Sequence, residues 1–319
     1  MGTLTLRPYK GETDLPAIAN LINACEAVDQ LGGGTSIAEL KDQFSYPSFK
    51  PERDLRLWEG SDGTLIAIGK LWVPPVQETQ DAGLMFKVLP SARNRGLENE
   101  ILAWAETELQ HLCRDQNLRG NLRVSTRETQ TDRVALLERS GFTVERHFLR
   151  MRRSLQTPIP EPQLPEGFVV RSLSGEAELS AWVDCFNQSF IDHWNHHELN
   201  LDDRRYWNSA PNYRADLDLV ATAPDGTFAA ICFSEIEPDH IVRTGQKEGC
   251  VCTLGTRRGF RRLGLGRAIL LTALHQLKTD GMEQAYLNVD AQNPNGAKQL
   301  YESVGFSPMF ASLVFCKVV

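Results

Sequence analysis

Apolar and polar positions in the second half of the chain follow two periods. Alternating or continuous apolar runs predict short strands at 168–173, 217–221, 228–236 and 250–254. Between the first two, apolar and aromatic residues recur at helical spacing over 177–190, which predicts a helix. The turn Pro224-Asp225-Gly226 separates two of the strands. A glycine-bearing turn then opens a helix at 267–277, which Gly281 helps to end. A strand at 285–289, a helix at 296–303 and a strand at 311–318 complete the pattern. The expected fold class is α/β (α+β), a mixed and mostly antiparallel sheet flanked by helices.

The first half carries the same landmarks. Leu4-Thr5-Leu6-Arg7 corresponds to Phe168-Val169-Val170-Arg171, and Leu137-Glu138-Arg139-Ser140-Gly141-Phe142 to Tyr301-Glu302-Ser303-Val304-Gly305-Phe306, both at an offset of 164 (168 − 4 and 301 − 137). Arg93-Asn94-Arg95-Gly96 matches Arg261-Arg262-Leu263-Gly264 at an offset of 168 (261 − 93). Three matches in one order indicate a duplicated unit of about 150 residues. Pro158, Pro160, Pro162 and Pro165 lie between the halves, where they remove amide donors and favour an extended connector. The expected division is a first unit at 1–154, a proline-rich linker at 155–167 and a second unit at 168–319.

Composition narrows the function classes. Of 319 residues, 41% are hydrophobic and 24% charged, which excludes a mostly disordered chain. A net charge of −7 argues against a dedicated nucleic-acid binder. No apolar run has bilayer length, the N-terminus lacks a signal-peptide core, and Leu6 replaces the Ser or Thr of a myristoylation signal. Seven cysteines, an odd number, do not form a secreted disulfide framework. The expectation is a cytoplasmic protein without nucleic-acid or membrane partners. His193, His196 and His197 lack a Cys pair or second cluster to complete a metal site, so no metal is expected. Cys250 and Cys252 alternate on a strand and read as buried small hydrophobes.

The strongest local signal runs from Val251 to Arg267. A strand leads through Gly264 and Gly266 directly into a helix, leaving first-turn amides aimed at one point with the helix dipole behind them. Five arginines fall between 257 and 267 in an acidic chain, and can concentrate an anion locally. Ile269 occupies the third small-residue position of a dinucleotide fingerprint, and no Gly-Lys-Ser/Thr follows for a P-loop. The Arg-x-x-Gly-x-Gly pattern of Arg261, Gly264 and Gly266, followed by 293–306 with Asn293 and Tyr301, resembles the GNAT superfamily of N-acetyltransferases. The two-unit layout is similar to that of the mycothiol synthases and their tandem relatives.

That resemblance implies acetyl-CoA as co-substrate. The acyl arm would lie on Leu254, Gly255 and Thr256, and the pyrophosphate on the backbone of Arg261, Arg262, Leu263, Gly264, Leu265, Gly266 and Arg267. Asn293 matches a pantetheine-side position, eight residues before Tyr301 where many members have seven. Tyr301 would protonate the leaving thiolate, and a strand amide near Leu254 would hold the oxyanion. An ammonium with a pKa near ~10.4 needs a base, for which Glu235 and Glu248 are both candidates, alongside direct attack or proton loss through water. The implied activity is acetyl transfer from acetyl-CoA to the primary amine of a small molecule, by direct attack in a ternary complex. The alternatives are a CoA-binding sensor or scaffold without catalysis, and a protein N-acetyltransferase. In the first unit Glu98 replaces Gly266, Asn94 replaces Arg262 and Leu137 replaces Tyr301, so that unit is expected to be silent. The assembly is expected to be a monomer, an intrachain pseudo-dimer, or a homodimer.

Overall fold

The computed structural model describes residues 4–319. Two units emerge, Met1–Glu145 with Leu313–Val319, and Arg146–Ser312. The division therefore falls between Glu145 and Arg146 rather than after residue 154, and the chain's last seven residues belong to the first unit.

In the first unit β1 (Thr5–Pro8), β2 (Leu55–Glu59), β3 (Leu65–Trp72) and β4 (Gln80–Val88) pair antiparallel in that order, and β5 (Gly120–Arg127) joins β4 in parallel. Alternate side chains feed two cores. On β3, Ile68 packs with α1 (Leu15–Asp29) and α2 (Ile37–Phe44), while Ala67 packs with α4 (Leu97–Gln116) on the other face. The four-residue α3 (Pro51–Asp54) leads into β2, and α5 (Thr131–Arg139) follows β5. A reciprocal capping box starts α2, with Ser36 accepting from the Glu39 amide at 3.1 Å and Glu39 from the Ser36 amide at 2.6 Å. The C-terminal segment closes this unit: Val319 and Gly120 exchange N–H···O bonds of 2.9 and 3.2 Å, and Phe315 is fully buried in its core.

The second unit repeats the plan. β6 (Thr143–Ser154) enters it at Arg146, and its pairing with a later strand fixes the observed boundary. β7 (Val169–Ser172), β8 (Asp218–Thr222), β9 (Phe228–Ile236) and β10 (Glu248–Thr256) are antiparallel neighbours. β11 (Gln284–Asp290) joins β10 in parallel and pairs antiparallel with β6. The helices are α6 (Leu179–Phe190), α7 (Leu201–Ser209), α8 (Pro238–Thr244), α9 (Leu265–Thr279) and α10 (Ala297–Ser303), and the last strand is β12 (Ser307–Val318). Because β9 is covered on both faces, it reads as a continuous buried apolar run rather than an alternating one. Its Ala230 and Cys232 face α9, and its Ile231 and Phe233 face α6.

The proline-rich stretch forms neither helix nor strand, as expected, yet it is not a free spacer. Leu155 and Ile159 are buried in the second unit's core, and Leu155 N–H donates to Glu283 O at 2.8 Å. α7 and α8 were not apparent from apolar periodicity. A fully buried ion pair holds α7 down: Arg204 donates to Asp218, which also accepts from Trp182 Nε1 and the Tyr213 hydroxyl, each at 3.0 Å. Burial pushes the Asp218 carboxyl up, with the Arg204 charge opposing that shift.

Candidate active site

The geometry begins with one irregular strand. β10 pairs with β9 along its length, but a bulge between Val251 and Thr253 sets Cys252 out of the ladder. Its pairing with β11 covers only Glu248, Gly249 and Cys250. A bulge bends a strand and increases its twist, and beyond it β10 and β11 part. The backbone groups on that edge of the strand's second half therefore lack a strand partner among the described residues. Beside this gap lies a cleft of about 440 Å³ lined by Leu254, Gly255 and Thr256, the start of α9, the 293–297 turn and Tyr301.

The turn before α9 is built to receive an anion. Arg262 (φ 67°) and Gly264 (φ 86°) are both left-handed, and Gly264 caps α9 without any side-chain cap bond. Amides in such a turn converge, with the positive end of a 15-residue helix behind them. Gly266 keeps the cradle open, since a Cβ there would meet Thr256 Oγ1 at 3.1 Å. The residues present thus fit the diphosphate of a CoA thioester.

The arginines divide into two groups. Arg257 is paired with Asp184, and Arg258 and Arg261 with Asp192. Arg261 also donates to Thr256 O (3.3 Å), Ser189 O (2.9 Å) and Asn295 Oδ1 (3.2 Å), tying the strand end to α6 and the 293–297 turn. Arg262 and Arg267 line the cleft and have no ion-pair partner among the described residues. So much of the arginine cluster is structural, and the charge left for an anion is smaller than the sequence count implies.

All but one of the expected CoA-side residues line the cleft. Leu263 does not and is 49% exposed, its side chain turned to solvent. Tyr301 reaches the cleft from α10, 8% exposed, and its hydroxyl has no hydrogen-bond partner among the described residues. Burial pushes the phenol up, so it stays protonated. Phe190, Ser189, His193 and Asn295 also line the cleft without having been singled out as cofactor contacts. Asn295 falls within the 293–306 segment, and Ser189, Phe190 and His193 within 186–194, a stretch also similar to the tandem relatives but given no contact role.

Neither candidate base lines the cofactor side. Glu235 is directly across from Cys250, the last β10 residue paired to β11, and accepts from the Cys252 thiol at 3.3 Å. Glu248 is nearly buried at the far end of β10, with Oε1 3.2 Å from His240 Nε2 and 3.8 Å from Arg150 Nη2. Cys252 is exposed and Cys250 half-buried, contrary to the expected burial of both, because the bulge pushes Cys252 outward. Among the described residues no group of three His, Cys, Asp or Glu side chains could hold a metal ion.

The first unit has the same turn. Asn94 (φ 59°) and Gly96 (φ 94°) repeat the left-handed pair at the 168-residue offset. There, however, Glu98 Oε1 accepts the Asn94 amide at 3.0 Å, so a carboxylate of the chain occupies the anion position. Arg133 fills the neighbouring space, its guanidinium 3.8 Å above the Phe86 ring and donating to Phe86 O at 3.4 Å. Burial pushes that guanidinium down to about 10. Phe86 stands where Leu254 stands in the second unit (254 − 168 = 86).

A parted strand edge beside a helix-terminus anion cradle can take an extended ligand that ends in an anionic group. Residues 179–306 match the model of the Acetyltransferase (GNAT) family. The chain is 28% identical over 298 residues to a mycothiol acetyltransferase of Thermomonospora curvata, covering 93% of this chain and 92% of that one. It is 29% identical to that of Geodermatophilus obscurus, covering 91% and 90%. Among solved structures it resembles a GCN5-related N-acetyltransferase from Sphaerobacter thermophilus, with a TM-score of 0.77, 21% identity, and coverage of 99% of this chain and 95% of that one. It also resembles a tandem GNAT protein from the clavulanic acid biosynthesis pathway, with a TM-score of 0.73, 13% identity, and coverage of 99% and 98%. Residues 179–306 thus carry a GNAT acetyltransferase domain, in a chain that is similar to GNAT-type N-acetyltransferases over most of its length.

Proposed function

We propose that the second unit transfers the acetyl group of acetyl-CoA to the primary amine of a small molecule, and that the first unit is catalytically silent. The observation that carries this reading is the pairing of an open anion cradle with a parted strand edge in one unit, against a self-occupied cradle in the other. Resemblance to enzymes named mycothiol acetyltransferases supports a small-molecule acceptor.

When bound, acetyl-CoA supplies an activated acyl carbon and a thiolate leaving group. The amides of the Arg262–Gly266 turn and the side chains of Arg262 and Arg267 would hold its diphosphate. The unpaired backbone edge of β10 would take its acyl arm, as a strand partner would. Tyr301 holds a proton at its hydroxyl for the departing sulfur. Glu235, beside the point where the strands part, removes the amine proton, so nitrogen gains the acyl carbon as the C–S bond breaks. Glu248, engaged by His240 and Arg150 at the other end of β10, keeps that corner of the sheet in place.

Thiol release from acetyl-CoA in the presence of a panel of small amines tests the reading. Release that needs both enzyme and amine is expected, with Glu235→Gln lowering kcat by about 100-fold and Glu248→Gln by far less. Tight CoA binding with no amine-dependent release would reject it.

A further inference from the structure

Four side chains on the second unit's sheet stand in one cross-strand row. Cys250 pairs with Glu235 on one side and with Tyr286 on the other, and Tyr286 pairs with Arg152. Paired residues share a face. This face is the one away from α9, whose partners on these strands include Ala285, Leu287 and Met151. α6 and α7 cover it over β8, β9 and the second half of β10, through Val220, Ile231 and Phe233 and through Ser189 and Phe190 against Gly255, and Trp194 of the loop after α6 packs on Phe148 of β6. Beyond them the sheet is open and polar: Cys252 and Asn288 are exposed, and Tyr286, Arg150 and Arg152 are half-buried. Strands about 4.8 Å apart place the backbones of Glu235 and Arg152 about 14 Å from each other, three strand steps.

The two arginines of this face differ. Arg150 is engaged, its guanidinium 3.4 Å above the Tyr286 ring and 3.8 Å from Glu248. Arg152 uses its carbonyl as an acceptor for Ser307, but its guanidinium has no ion pair or hydrogen bond among the described residues. A half-buried guanidinium without a counter-charge gives up hydration and gains no partner. Its planar fork fits a carboxylate or a phosphate. The chain's −7 charge does not favour anions at long range, so selection for one must be made locally, in a row like this.

We propose that the acceptor is an acidic amine, whose amino group is received at Glu235 and whose carboxylate or phosphate is received by Arg152 across the Tyr286 row. The inference rests on the acetyl-transfer reading and adds a charge requirement at the far end of the acceptor.

The test uses the full chain with acetyl-CoA and two matched pairs, 6-aminohexanoate against hexylamine and glucosamine 6-phosphate against glucosamine. In at least one pair the acidic member is expected to have a kcat/KM about 10-fold or more above its neutral mate. The responding pair separates a carboxylate from a phosphate requirement. Arg152→Gln is expected to bring that ratio within about 2-fold, by raising KM for the acidic amine, and Arg152→Lys to restore part of it. Calorimetric acetyl-CoA binding by each variant checks that the fold is intact. Equal kcat/KM in both pairs, or a ratio that Arg152→Gln does not change, overturns the inference and leaves acetyl transfer standing. No release with any amine overturns both.

Discussion

The two units share a backbone plan and differ where the second unit has its cleft. Both turn through a left-handed pair into a long helix, Asn94 and Gly96 before α4, Arg262 and Gly264 before α9. In the second unit the strand ahead of that turn is bulged and keeps only three pairs with its parallel neighbour. In the first, β4 runs without a bulge against β3 and keeps five pairs with β5, from Gln80 to Leu84. What remains of its gap is filled by Arg133, and its cradle by Glu98. A retained backbone is thus no proof of a retained ligand site. In the first unit a carboxylate on the first turn of the helix takes the amide that the second unit leaves open.

The comparison can be broken most sharply at Tyr301, whose counterpart is Leu137 (301 − 164 = 137). Tyr301→Phe should lower kcat by about 10²- to 10⁴-fold with little change in acetyl-CoA affinity measured by calorimetry. The same residue sets an expectation for pH. Burial raises the phenol above its usual ~10, so the wild-type rate should show no basic limb from this group below about pH 10.

Next in size is the cradle. Gly266→Glu transplants the first unit's device, a carboxylate able to accept the Arg262 amide, and should weaken acetyl-CoA binding on the order of 100-fold, about 3 kcal/mol. The reverse change is subtler. Glu98→Gly combined with Arg133→Ala should open the first unit and raise CoA stoichiometry in titration calorimetry from one to two, the added site being the weaker. If stoichiometry stays at one, the remaining β4–β5 pairing closes that unit by itself.

The smallest effect concerns the bulge residue. The Cys252 thiol donates to Glu235, the proposed base, and a donor to a carboxylate favours its charged form. Cys252→Ala should move the acid limb of kcat/KM upward by a few tenths of a pH unit, and Cys252→Ser should return it.

Local signals carried much of this. The strand–glycine–helix run at 251–267 was legible because glycine spacing and helical periodicity are written within one stretch. The repeat was legible because its offset is nearly constant. Non-local pairings were not. Asp184 and Asp192 neutralise arginines more than sixty residues away, which no spacing rule shows. α7 reads as a polar loop because its anchor is Arg204, a residue type seldom found fully buried, and only the Asp218 carboxylate makes that burial tolerable. Arg133 looks like a surface charge on an amphipathic helix. The domain boundary misled for a related reason: 146–154 is contiguous with the first half but hydrogen-bonds to β11. Sequence neighbours need not be sheet neighbours.

That strand assignment has a consequence in the order of synthesis. The first unit begins to leave the ribosome before the second but is finished after it, since its sheet draws on 313–319, where Val319 bonds to Gly120. Closing that contact joins positions 199 residues apart (319 − 120), which makes it slow and late among the chain's pairings. The second unit takes 146–154 from sequence already translated and is complete by Ser312. Removing 316–319 should therefore loosen the first unit while leaving every cleft residue of the second in the chain.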